Sequence, residues 1–112
     1  MQKISWEDFI KIELRIGKII NAEEFPNTKN PAYKLLIDFG DNIGIKKSSA
    51  QITDLYTIPE LIGKLVVAVI NFPEKQIGPI KSECIVTGFY NSSGAVVLCV
   101  PDKELDLGSK FL

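Results

Sequence analysis

The 112-residue sequence predicts an all-β barrel in a single domain, and three observations support that fold class. Apolar and polar residues alternate over residues 33–39, as in a strand with one buried face. A Gly40-Asp41-Asn42 turn then leads into a returning strand at 43–48. A helix and turn region at 50–62 separates this third strand from a continuous apolar strand at 65–70. A helix in that one gap of a small barrel is the layout of the OB-fold.

The N-terminal element is predicted to be a short helix. Ser5 is a suitable N-cap, and Asp8 three residues later approximates a capping box. Trp6, Phe9 and Ile10 recur at helical spacing and form one apolar face. This face packs either on its own barrel or on another subunit.

The first strand is predicted over residues 14–25, where the apolar parity breaks at Ile19. Because Gly17 lies close to this break, we expect a β-bulge or bend of the kind that small barrels need to close. A loop is predicted at 26–31. A generic β-sandwich is the alternative fold, but it does not naturally place a helix after the third strand.

The second half of the chain completes the barrel. Pro59 is expected to break the helical region and Gly63 to close it, and residues 72–81 are predicted to form an irregular loop. A second hairpin is predicted from strands at 83–90 and 95–100. We therefore expect one domain spanning residues 1–112, with its core at about 8–108, built from five strands and an added hairpin strand.

The composition argues against an enzyme. The chain has no histidine, which removes the commonest general base and the commonest metal ligand. Ser48 and Ser49 therefore lack a partner for a catalytic triad, and Glu23 and Glu24 are adjacent on a strand, so they point to opposite faces. The sequence predicts no catalytic residue, no metal site and no cofactor.

Two features predict the compartment. Cys84 and Cys99 lie among strand-forming residues and are expected to be buried free thiols in a reducing environment. The N-terminus lacks the apolar region of a signal peptide, and the longest apolar run, at 65–70, is too short to cross a membrane. We expect a cytoplasmic protein that does not insert into membranes.

Positive charge is concentrated where an OB-fold binds its ligands. The net charge of the chain is −1, but the second and third strands with their flanking loops, at 26–48 and 72–82, carry a net +3. Their lysines are Lys29, Lys34, Lys46, Lys47, Lys75 and Lys81. Such a bias suits a groove that follows a phosphate backbone, although lysines populate any solvated surface.

Strand parity predicts which of these side chains share the outer face. If Phe39 pairs with Ile43, then Lys34, Lys46 and Ser48 lie on the outer face. Lys47 would share the parity of the buried residues. Most aromatic residues fall at core parity, which favours recognition of a folded shape or a peptide over a row of stacked bases.

Segments along nearly the whole chain resemble the tRNA-binding OB domain family, which occurs attached to some methionyl-tRNA synthetases and as free-standing dimers. The opening segments lie at 8–9 and 14–19. Further segments are similar to the CsaA branch of that family, and the most specific are KKSSAQIT at 46–53, NFP at 71–73 and IKSE at 80–83. The others lie at 22–26, Lys29, 31–35, 37–40, 43–45, 69–70 and 76–79.

The resemblance implies a homodimeric chaperone that binds unfolded or pre-export polypeptides and also tRNA. The alternative is a tRNA-binding protein that acts in trans or beside an aminoacyl-tRNA synthetase. The implied ligand-binding residues are Lys34, Lys46, Ser48, Ser49, Gln51, Asn71, Lys81, Ser82 and Glu83. The implied dimer contacts are Trp6, Phe9, Ile10, Leu105 and Leu107.

Two of these assignments have structural alternatives. The Ser49-Ala50-Gln51 segment is also suited to cap the following helix. Asn71 is also suited to satisfy the backbone of the loop before Pro73.

Overall fold

A computed structural model describes residues 1–25 and 30–112, so most of the predicted loop at 26–31, with Lys29, lies outside the described residues. The described chain contains two short helices and nine strands. The helices are α1 (Trp6–Phe9) and α2 (Ile58–Leu61). The strands are β1 (Leu14–Glu24), β2 (Tyr33–Asp38), β3 (Ile45–Ala50), β4 (Leu65–Val69), β5 (Lys75–Ile77), β6 (Ile80–Ser82), β7 (Ile85–Val86), β8 (Gly88–Tyr90) and β9 (Val96–Leu98).

A five-stranded antiparallel sheet forms the barrel, in the order β3-β2-β1-β4-β7. Two hairpins, β5–β6 and β8–β9, form separate two-stranded sheets. The barrel closes where β3 meets the segment before β7: the Glu83 N–H donates to the Lys47 carbonyl at 2.8 Å, and the Ser48 hydroxyl donates to the Cys84 carbonyl at 3.0 Å. This arrangement confirms the predicted all-β OB-fold.

Strand β1 is long enough to serve both sides of the barrel. Its first half pairs with β4 and its second half with β2, and the register shifts between Ile19 and Asn21. This bulge confirms the predicted break at Ile19. Beside the first half, the C-terminal tail adds a further pairing, in which Arg15 lies opposite Lys110.

The core fills the barrel interior. Its largest fully buried side chains include Phe39, Leu35, Ile37 and Leu61. A separate small cluster of Phe25, Ala32 and Ile80 anchors the β5–β6 hairpin to the barrel. The hairpin is therefore held by apolar packing as well as by its own hydrogen bonds.

The predicted N-terminal helix is confirmed. The Ser5 hydroxyl accepts a hydrogen bond from the Asp8 N–H at 3.1 Å, as an N-cap does. Trp6 is 62% exposed and Ile10 is 52% exposed, so most of the apolar face lies on the surface of the chain. The Phe9 ring packs edge-on against the Phe111 ring, with centroids 5.8 Å apart.

The predicted hairpin register between β2 and β3 is wrong by one residue. Phe39 donates to the carbonyl of Gly44, so the loop has four residues where the sequence indicated three. Strand β2 therefore pairs Lys34 with Ser49 and Leu36 with Lys47. Because side chains alternate across a strand, this one-residue shift exchanges the faces of every residue in β3.

Two other expectations require correction. Pro59 does not break the helix, because it lies in the first turn of α2, where a missing N–H costs nothing. The predicted irregular loop at 72–81 contains the β5–β6 hairpin, whose turn at Gly78 has a φ of 56°. The predicted second hairpin is present as β8–β9, but its strands are shorter than predicted, because residues 85–86 of the predicted first strand pair with β4 as β7.

None of the described helices has the length and apolar character needed to cross a membrane.

Replacement of Gly17 by alanine is expected to destabilise the fold. A Cβ atom at Gly17 would lie 2.5 Å from Ile37 Cγ2 and 2.7 Å from Phe39 Cε1, inside the packed core. Overpacking of this kind costs about 1–3 kcal/mol in the free energy of unfolding, measurable by urea denaturation. Ser92→Ala is the control, because Ser92 is exposed in the β8–β9 turn, where such a substitution should change the free energy of unfolding by less than about 0.5 kcal/mol. A Gly17→Ala protein as stable as the wild type would contradict the tight contact.

Candidate functional site

The outer faces of β1, β2 and β3 carry two rows of side chains that run across the sheet. The rows are Glu23–Lys34–Ser49 and Asn21–Leu36–Lys47. Directly opposite side chains on neighbouring strands have Cβ atoms about 5 Å apart, so the members of each row are close neighbours. The corrected register creates both rows, because it brings Lys47 to the outer face and turns Lys46 inward.

The β5–β6 hairpin overhangs these rows and turns the face into a groove. Pro79 and Ile80 contribute one wall, and Asn21, Leu36 and Lys47 contribute the sheet side. The cavity has a volume of about 290 Å³. It therefore combines an apolar floor with polar and charged side chains, as ligand pockets commonly do.

Lys34 is positioned by its neighbours. Its Nζ lies 3.6 Å from Glu23 Oε2 and 5.8 Å from the centroid of the Phe25 ring. Both charged side chains are substantially exposed, so the ion pair contributes little to stability. The contacts instead hold the ammonium group between Glu23, which also lines the groove, and Phe25. Lys47 is exposed and forms no ion pair with a described residue.

Ser48 does not lie on the outer face, and the predicted placement of both Ser48 and Lys46 there is wrong. Ser48 is fully buried, and its hydroxyl donates to the Cys84 carbonyl. Ser82 is also buried, and its hydroxyl donates to the same carbonyl at 3.1 Å. Lys46 lies opposite Ile37 on the inward-facing side of β3 and is half-buried. The two serines therefore support the closure of the barrel.

Glu83 is likewise engaged within the fold. Its carboxylate accepts a hydrogen bond from the Lys47 N–H at 2.8 Å, and its own N–H donates to the Lys47 carbonyl. Lys81 is exposed on β6 beside Ile80 of the groove. Gln51 is exposed and lines a second cavity beyond the end of β3.

Asn71 lies away from the groove and joins the N-terminal segment to the end of β4. Its side-chain oxygen accepts from the Glu13 N–H at 3.0 Å, and its amide nitrogen donates to the Lys11 carbonyl. These bonds support a structural role for Asn71, although they link it to residues 11–13 and not to the loop before Pro73.

Sequence reasoning missed several groove residues. Asn21, Glu23, Leu36 and Pro79 line the cavity but were not predicted as binding residues. Leu36 was visible as an apolar residue at a polar position of the alternating strand. An apolar residue on the solvent-facing side of a strand is a signal for a ligand contact, and the alternating pattern could have revealed it.

Cys84 and Glu13 have shifted pKa values, and neither residue lines the groove. Burial raises the pKa of the Cys84 thiol to about 11. A hydrogen bond from Arg15 holds the pKa of the Glu13 carboxyl below its usual range. Within residues 1–25 and 30–112, no group of three or more histidine, cysteine or acidic side chains is arranged to hold a metal ion.

A grooved OB barrel with lysines beside an apolar floor defines a binding module. The family model described as "Putative tRNA binding domain" matches residues 14–110. The chain therefore belongs to the tRNA-binding domain family.

Known proteins of two kinds are similar to this chain. The methionine–tRNA ligase of Pyrococcus furiosus is 34% identical over 110 residues, which cover 98% of this chain and 15% of that enzyme. The crystal structure of the chaperone CsaA from Bacillus anthracis has a TM-score of 0.93 at 46% identity, covering 99% of this chain and 100% of that one. The CsaA chaperone from Picrophilus torridus has a TM-score of 0.92 at 46% identity, covering 98% and 100%. The chain thus spans about one seventh of the ligase it matches and the full length of both chaperones.

Cys84 is expected to resist alkylation in the folded protein. Because its pKa is raised from 9.0 to about 11, the folded chain holds about a hundredfold less Cys84 thiolate at pH 8 than the unfolded chain. Mass spectrometry after a short iodoacetamide pulse measures the modified fraction at pH 8, with and without urea. The alkylation rate of Cys84 in the folded protein should continue to rise with pH beyond 9, whereas the rate in the unfolded chain should level off there. Equal rates in the folded and unfolded protein would contradict the burial of the thiol.

Proposed function

We propose that the protein is a chaperone that binds unfolded polypeptides, including chains before export, in the groove between the outer sheet face and the β5–β6 hairpin. The observation that carries this proposal is the apolar lining of the groove at Leu36, Pro79 and Ile80 beside Lys34 and Lys47. An unfolded chain exposes apolar side chains and carboxylates, and this lining complements both.

The aromatic content of the groove favours a polypeptide or a folded RNA over a single strand of stacked bases. No aromatic side chain among the described residues lines the cavity, whereas sequence-tolerant binding of single-stranded nucleic acid uses aromatic stacking platforms. The similarity to two CsaA chaperones over the full chain supports polypeptide as the ligand.

Binding of tRNA is the second candidate function, and it is favoured by the family match and the lysines. Lys34 and Lys47 line the groove, and Lys81 is exposed beside it. Contacts of this kind to phosphates supply affinity that falls steeply with salt. The family match also supports a cytoplasmic location, where tRNA is found.

A pair of variants separates the two candidates. Leu36→Ser should weaken binding of an unfolded polypeptide by about tenfold, because it removes apolar contact area from the groove. Its matched control is Leu55→Ser, since Leu55 is exposed in a turn outside the groove. Binding is measured by fluorescence anisotropy with a labelled, permanently unfolded polypeptide, and aggregation assays on a thermally unfolded client give the chaperone activity.

Charge reversal provides the complementary test with tRNA. Lys47→Glu should reduce tRNA affinity strongly at low salt, whereas Lys103→Glu in the C-terminal tail should change it little. If only tRNA binds, and Leu36→Ser changes nothing, the chaperone proposal is wrong and the tRNA proposal stands. If the polypeptide alone binds and tRNA does not, the tRNA candidate is excluded.

We also propose that the protein is a homodimer that buries α1 and the C-terminal tail. Trp6 on the four-residue helix α1 and its C-cap residue Ile10 are exposed, and Phe111 and Leu112 expose apolar surface beside them. An apolar cavity of about 260 Å³ lies next to this surface and includes Leu105. Leu107 is half-buried against Gly40 and is expected to contribute less.

Trp6→Lys is expected to convert the dimer into a monomer. Aromatic anchors commonly contribute 2 kcal/mol or more to an interface, so the apparent dissociation constant should rise by at least about thirtyfold. Light scattering coupled to size exclusion measures the mass. Phe89→Lys, which changes an exposed aromatic on β8, is the control and should keep the wild-type mass. A wild-type protein that is monomeric at high concentration would refute the proposed dimer.

A further inference from the structure

A second cavity lies at the open end of the β2–β3 hairpin. Its volume is about 210 Å³, and it lies between the segment that follows β3 and the turn of the β8–β9 hairpin. The side chains in its lining that can bind a polar or charged ligand include the amide of Gln51, the carboxylate of Asp54 and the aromatic ring of Tyr90. The function proposed above does not use this cavity.

The walls of this cavity are held in place by the fold. On one side, Ile52 is buried in the core and secures the segment that carries Gln51 and Asp54. On the other side, the Asn91 side-chain oxygen accepts hydrogen bonds from the Ser93 N–H at 3.0 Å and the Ala95 N–H at 2.9 Å. These bonds fix the β8–β9 turn, so the cavity is present before any ligand arrives.

Two tyrosines connect the walls. The Tyr33 hydroxyl donates to the Tyr56 carbonyl at 2.8 Å, and the Tyr56 hydroxyl accepts from the Leu98 N–H at 3.0 Å. This chain of bonds runs from β2, through the loop after Asp54, to β9. The position of Asp54 relative to the β8–β9 hairpin is thereby restrained.

The chemistry of the lining suits a cation. Asp54 is exposed and forms no ion pair with a described residue, and it is the only charged residue among the described residues that line the cavity. The Tyr90 side chain is 80% exposed, which leaves its ring open to a ligand. A carboxylate beside an accessible aromatic face attracts a guanidinium or ammonium group through both an ion pair and a cation–π contact.

The two cavities lie along the same strand and carry opposite charges. Lys47 lines the first, and Gln51 lines the second, four residues further along the chain. Four residues of extended chain span at most about 13 Å. A polypeptide extended beside β3 would therefore place side chains four residues apart in the two cavities.

We propose that the cavity at Asp54 and Tyr90 is a subsite for an arginine or lysine side chain of the bound polypeptide, about four residues from the segment that occupies the groove. This proposal rests on the proposed polypeptide-binding function and adds a preference to it. The favoured ligand carries apolar and acidic side chains in one segment and a basic side chain in the next.

The test uses short labelled peptides that lack regular structure. Each contains leucine and aspartate for the groove and an arginine four residues away, in one direction or the other, because the ligand can run either way along β3. Matched peptides have glutamine in place of the arginine. Affinities are measured by fluorescence anisotropy with the whole protein at moderate salt.

Asp54→Asn is the informative variant. It should weaken binding of the better arginine peptide by about fivefold and leave its glutamine counterpart unchanged. Tyr90→Leu, which keeps apolar area but removes the aromatic ring, should act in the same direction. Asp102→Asn in the C-terminal tail is the matched control and should leave both peptides unaffected. Because Asp54 and Tyr90 are exposed, circular dichroism should show unchanged folding.

The outcomes separate this subsite from the function on which it rests. If the wild type binds the arginine and glutamine peptides equally, or if Asp54→Asn weakens both equally, the cationic subsite is wrong while polypeptide binding stands. If neither peptide binds the wild type, polypeptide binding and the subsite both fail. Selective loss of the arginine peptide supports both.

Discussion

The hydrogen-bonded junction between β3 and residues 82–84 is the interaction on which the barrel and its groove depend. Two buried hydroxyls, those of Ser48 and Ser82, share the Cys84 carbonyl, and Glu83 pairs through backbone and side chain with Lys47. Without this junction, β3 would be an open sheet edge with unpaired backbone groups. The same junction positions the β5–β6 hairpin, because β6 leads directly into it, and that hairpin is the wall that makes the outer face a groove.

The elements that the sequence revealed are those whose signal is local. The alternation at 33–39 predicted β2, and the Ser5 cap predicted α1. A period of two and a capping side chain are both visible in a few neighbouring residues. The length of the β2–β3 loop was not visible in this way. Gly40 and Gly44 both adopt positive φ, at 92° and 88°, so the sequence offers two glycines near the turn and does not show how many residues the loop contains. The difference of one residue changed which lysine of the pair faces the groove.

The candidate site was only partly predictable for a related reason. Ser48 and Ser82 are polar residues in segments that resemble a binding family, yet both are buried. Both donate to the Cys84 carbonyl, which lies 36 residues from Ser48 and two residues from Ser82. Nothing in the sequence distinguishes a serine that meets a ligand from one that satisfies its own backbone. Conversely, Pro79 lies in a segment predicted to be an irregular loop, and only its position against the sheet shows that it forms a groove wall.

The contact between Phe9 and Phe111 brings the two ends of the chain together. Their ring centroids are 5.8 Å apart, and the tail from Gly108 to Phe111 hydrogen-bonds along the start of β1. This contact ties the N-terminal helix to the C-terminal tail, so loss of either segment would expose apolar surface on the other. The groove is lined by residues between Asn21 and Ile80, so the ring contact that joins the two terminal segments contributes none of its lining.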